Sequence, residues 1–174
     1  MVGLPHRGDV ERYVTGVRTA LESSCRVQDL TVNGRPVLVA SRRDFRLRWL
    51  ATQLSTTVTV AAFDPDVDVV VLDNYLAAAR REAQGSVGAR SGLQSGSAVI
   101  CVAVVPELTE VVENWARRPH GHAFAAVAYP VAVGVRERRL VEPARMRIGR
   151  IFQGFLHELV QQVVAEPLGR VPTT

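Results

Sequence analysis

Ser95, His120, His122 and Asp64 have the side-chain types that cofactor-free hydrolysis uses. A serine hydroxyl attacks only when an imidazole takes its proton, and a carboxylate then holds that imidazole in the useful tautomer. Ser95 lies in GLQSG, which is not the GxSxG nucleophile elbow, so these four are candidate catalytic residues with no motif behind them. His120-Gly121-His122 also suggests metal ligation. However, no CxxC or HExxH is present, and Cys25 and Cys101 are far apart. Asp64, Asp66 and Asp68 lack the later glycine and glutamate of an EF-hand loop. They read better as a turn and a helix N-terminus, where carboxylates are favoured. The expectation is no metal and no cofactor.

A second stretch points to binding rather than catalysis. RRDFRLRWL, residues 42–50, places two large aromatics among four arginines. Wound as a helix of about 100° per residue, it puts Leu47, Leu50, Ala51 and Leu54 on one face. Phe45 and Trp49 fall opposite, beside Arg42, Arg48 and Gln53. Arg42, Phe45, Arg48 and Trp49 are therefore the candidate binding residues. Tryptophan and arginine are enriched at protein interface hot spots, which favours a protein partner. Arginines on phosphates with aromatics on bases would also suit nucleic acid, but no RNA- or DNA-binding motif accompanies them.

Composition narrows the chemistry. All 21 basic residues are arginine. A chain without lysine has no P-loop lysine and cannot form a Schiff base with pyridoxal phosphate. The net charge is +4 and the pI near 9.8, which permits an anionic partner without requiring one. The dinucleotide pattern GxGxxG is absent. No apolar run reaches the roughly 18 residues of a membrane helix. The opening residues lack a signal-like apolar core, and cysteines are few, so a cytoplasmic location is expected.

The elements that must position these residues are legible from periodicity. Val10, Tyr13, Val14, Val17 and Leu21 mark a first helix. VQDLTVNGRPVLVAS holds two apolar runs about Asn33-Gly34, the pair preferred in a type I′ hairpin turn. TTVTVAAF reads as a strand. The run from Val67 to Leu72 fits strand or helix, and Asp73–Gln84 is helical. Glycine and serine dominate 85–97, a predicted loop. AVICVAVV is a buried strand. Leu108, Val111, Val112 and Trp115 share a helical face, and Pro130 marks the next strand as bent or at an edge. RRLVEP is its short partner. A long helix follows over 146–164, with an apolar arc too wide for a surface helix; a neighbouring helix or subunit must cover the surplus.

Strands alternating with helices after a hairpin predict a single α/β domain. Its mixed sheet has about five to six strands covered by helices. The domain spans 1–166, followed by a flexible tail over 167–174. The functional expectation is a small protein acting through association, as a homo-oligomer or a subunit of a larger assembly. A hydrolase with its site under the Gly/Ser loop is the first alternative, and an arginine-based nucleic-acid binder the second.

Overall fold

Asn33 and Gly34 take positive φ, 50° and 76°, as a type I′ turn demands. The turn joins β1 (Arg26–Val32) to β2 (Arg35–Phe45) and sets Val32 opposite Arg35. The computed structural model describes residues 7–45, 53–86, 95–118, 126–144 and 150–170. In these, β1 and β2 are followed by β3 (Gln53–Ala62), β4 (Ser95–Val105), β5 (Ala126–Gly134) and β6 (Arg139–Val141). The strands stand in chain order across one sheet. The β3–β4 and β4–β5 pairs are parallel and the other pairs antiparallel. This is the expected mixed α/β sheet opening with a hairpin.

The parallel pairs need crossovers, which α2 (Val69–Ser86) and α3 (Glu110–Arg117) supply. Crossovers are right-handed, so two taken in the same direction put both helices on one face. There Leu72, Tyr75, Leu76, Val112 and Trp115 pack on Val37, Val39, Val99, Cys101 and Ala103. The opposite face carries α1 (Arg7–Glu22) and the C-terminal helices. Val10, Tyr13, Val17 and Leu21 are buried there, as their spacing predicts. The Val67–Leu72 ambiguity resolves as helix: Asp68 accepts a hydrogen bond from the Val70 N–H at 2.8 Å and caps α2. Thr109 caps α3 through the Val112 N–H. Val111 stands apart from the expected buried face and is exposed.

Two expectations are corrected. Residues 42–45 and 53–54 are strand, not helix: Arg42 pairs with Thr56 and Phe45 with Gln53. The periodicity of 42–54 was a weak local signal. Pairing with the β-branched run Thr56-Thr57-Val58 overrides it, and Leu54 is buried as a strand residue. Residues 46–52, with Arg48 and Trp49, lie outside the described residues. The tail boundary also moves. Pro167 and Leu168 are buried in a short helical segment, α5 (Glu166–Gly169), so the packed domain continues past 166. Pro130 behaves as expected of an edge, because β6 covers only Ala132–Gly134 of β5.

Burial leaves a titration signature. It pushes the Cys101 thiol up to about 12 and raises the Tyr13, Tyr75 and Tyr129 hydroxyls above the usual tyrosine range. Each group keeps its proton in the fold at a pH where the unfolded chain has lost it. Their contribution to stability is therefore complete below about pH 9 and falls as pH rises from there towards 12. The urea midpoint should decline steadily above about pH 9. A midpoint unchanged at about pH 10.5 would show that these groups are solvated in the fold.

Candidate ligand-binding cleft

Arg12, Gly16, Thr19, Ala20 and Ser23 recur at helical spacing and form a stripe on α1 beside its core face. They make one wall of a cleft of about 750 Å³. The opposite wall comes from the chain's end. There α4 (Arg150–Val160) runs into a π-helical turn, Gln161–Ala165, and then into α5. Gln162, Val163, Glu166, Pro167 and Arg170 face the cleft. Ser24 and Arg42 complete its lining.

Pro167 accounts for the π-turn. It has no N–H to give the Val163 carbonyl, and its ring would press on that carbonyl in a regular α-helix. The widened turn removes the conflict, and the Glu166 N–H bonds back to the Gln161 carbonyl, five residues away. The Val164 carbonyl then accepts a hydrogen bond from the buried Tyr13 hydroxyl at 2.9 Å, which ties the π-turn to α1. A Cβ on Gly16 would stand 3.4 Å from the Pro167 Cβ, so glycine there sets how closely the two walls approach.

Arg42 contributes from β2. Its Nε and Nη2 fork onto Asp44 at 2.8 and 2.5 Å, two residues along the same face of the strand. The hydrogen bond to Asp44 raises the guanidinium pKa first, against the opposing effect of burial. The guanidinium carbon lies 5.8 Å from the Phe155 ring centroid. Arg12 pairs with Asp9, and Arg170 with Glu166. An arginine offers five N–H donors and a carboxylate fork takes two, so each pair retains donor capacity. The Thr19 and Ser23 hydroxyls donate to the Thr15 and Ala20 carbonyls, at 3.2 and 2.7 Å, and keep acceptor lone pairs. Behind Arg42, its cross-strand partner Thr56 is fully buried; the Thr56 Oγ1 has no hydrogen-bond partner among the described residues. The cleft can thus offer charged donors and neutral acceptors to a small polar molecule.

Of the binding residues expected from sequence, Arg42 lines this cleft. Phe45 ends β2, and its side chain lies outside the described residues, as do Arg48 and Trp49. Ser95 opens β4, with its side chain likewise outside them, and His120 and His122 are outside too. Gln53 pairs with Ser95, and Ala62 with Val104, so Asp64 lies past the far end of the strands from Ser95. The separation is roughly 30 Å, so Ser95 and Asp64 do not share a site.

Sequence reasoning missed one polar cluster. Glu142, just after β6, accepts hydrogen bonds from the Tyr129 hydroxyl at 3.1 Å and the Gln161 amide at 3.2 Å, and its carboxylate lies 3.0 Å from the His157 Nδ1. His157 and Gln161 sit four apart on the last helix, a visible spacing, but Glu142 is 15 residues before His157, and nothing in sequence joins them. The cluster ties the sheet's short edge to the helix above it. A Glu142→Ala change leaves the buried Tyr129 hydroxyl without that acceptor and should cost about 1–3 kcal/mol in urea denaturation. Glu142→Gln, which keeps an acceptor oxygen, should recover part of that loss; equal losses would show that the Tyr129 bond does not matter. No family model, curated protein or solved structure matches this chain.

Proposed function

We propose that this chain is a binding protein, acting in the cytoplasm, that holds a small anionic ligand in the cleft between α1 and the C-terminal helices. The cleft's composition carries this reading. Three arginines and three hydroxyl residues, drawn from α1 and its end, β2 and the last helical turns, converge on a volume suited to a small molecule. The π-turn in one wall adds weight, since such turns concentrate at functional sites. An anion would share the arginines with their present carboxylates rather than meet bare charges. The free cysteines Cys25 and Cys101 fit a reducing compartment. Among the described residues, no helix is long and apolar enough to cross a membrane.

Association remains a proposal, but not on the helix argument. Phe155, Leu156, Leu159, Val160 and Val163 are buried within the chain itself, so the wide apolar arc needs no second subunit.

The test is calorimetric titration with inorganic phosphate, pyrophosphate, mononucleotides and dicarboxylates. At least one should bind and raise the melting temperature. Arg42→Ala should then weaken it about tenfold or more, the loss expected for a charge-assisted hydrogen bond. Binding should also weaken with added salt. If no anion in this set binds, or if binding survives both Arg42→Ala and Arg12→Ala, the cleft is not the site. Binding confined to single-stranded oligonucleotides would favour the nucleic-acid reading instead.

A further inference from the structure

The two edges of the sheet are finished differently. At one, β6 is three residues long, and the stretch of β5 that it leaves uncovered carries Pro130. Shortness and proline are both means by which proteins blunt a sheet edge. At the other, β1 pairs with β2 for seven residues in unbroken register, without bulge, proline or lysine. Among the described residues nothing pairs with its outer side. An edge of this kind is a template for another strand.

We infer that β1 pairs antiparallel with β1 of a second copy of this chain, about a two-fold axis at Asp29. The direction of the backbone groups follows from the hairpin. Val32 and Arg35 close the two-residue turn as a hydrogen-bonded pair. The N–H and C=O groups of Val32, Leu30 and Gln28 therefore point to β2, and those of Val27, Asp29 and Thr31 point outward. The two-fold sets Val27 opposite Thr31 of the other copy and Asp29 opposite Asp29. All three outward residues are then used, with about six new backbone hydrogen bonds.

The charges suit this occupant. Two facing aspartates alone would repel, but Arg18 on α1 already pairs with Asp29 in each copy. The axis brings together two arginines and two aspartates, each arginine able to reach the facing carboxylate. On the other face of β1, half-buried Leu30 and Val32 come opposite Gln28 and Arg26, whose aliphatic stems can cover them. Pairing consumes the open edge of both copies and leaves the blunted β6 edges outermost. Assembly therefore stops at two.

Light scattering behind size-exclusion chromatography, on the full chain without ligand at rising concentration, tests the inference. The expected mass is twice the 19.0 kDa of the chain. Thr31→Pro removes an outward donor and leaves the β1–β2 ladder intact; it should elute as a monomer with an unchanged circular dichroism spectrum. Arg18→Glu gathers four acidic groups at the axis and should also give a monomer, and Arg18→Glu with Asp29→Arg should restore the dimer. The charge swap decides the matter if Thr31→Pro fails to fold. A chain that is monomeric at every concentration, or a dimer untouched by Arg18→Glu, overturns the inference. The ligand reading stands apart from either result.

Discussion

The direction of the two crossovers governs the arrangement of everything else. Because β3, β4 and β5 follow one another across the sheet, α2 and α3 share a face. The other face must be covered by what remains: the first helix and the last. The chain's two ends are thereby brought into contact, and the cleft is the seam where they meet. The same topology lacks the strand-order reversal at which open α/β sheets form their usual ligand crevice. A site on this architecture has to be built elsewhere, and a seam between helices is one place with room for it.

The seam rests on few residues. Pro167 forces the wide turn, Tyr13 ties that turn to α1, and Gly16 lets the walls come close. Arg42 reaches the same place from the sheet, held by Asp44 and set against Phe155. These are long-range meetings between positions 12–24, 42 and 162–170. Each local sequence looks ordinary: a polar helix flank, an arginine on a strand, a proline near the end of a helix.

That distribution explains what the sequence discloses. The hairpin was plain because Asn33-Gly34 is a local signal with one good solution. The β4 strand and the core face of α1 were plain because burial imposes a period on neighbouring residues. The stretch 42–54 misled because a helical match over a dozen residues competes with strand pairing, and pairing depends on partners at 53–61 that periodicity does not weigh. Pro167 misled for a related reason. A proline late in a helix usually signals its end, whereas here the helix widens and continues. The Glu142 cluster and the Tyr13–Val164 bond left no trace, since their members are joined only by the fold.

The π-turn also bears on how this chain can vary over time. Such a turn holds one residue more than the α-turn it replaces. Removing a residue from 161–165 would restore a regular helix only by rotating all that follows through about 100°. Leu168, now buried against α1 and the sheet, would swing outward, and Arg170 would leave the cleft. The C-terminal wall should therefore accept exchanges of residue type far more readily than changes of length. In relatives of this chain, the spacing from Tyr13 to Pro167 would be a steadier mark of the cleft than any single side chain that lines it.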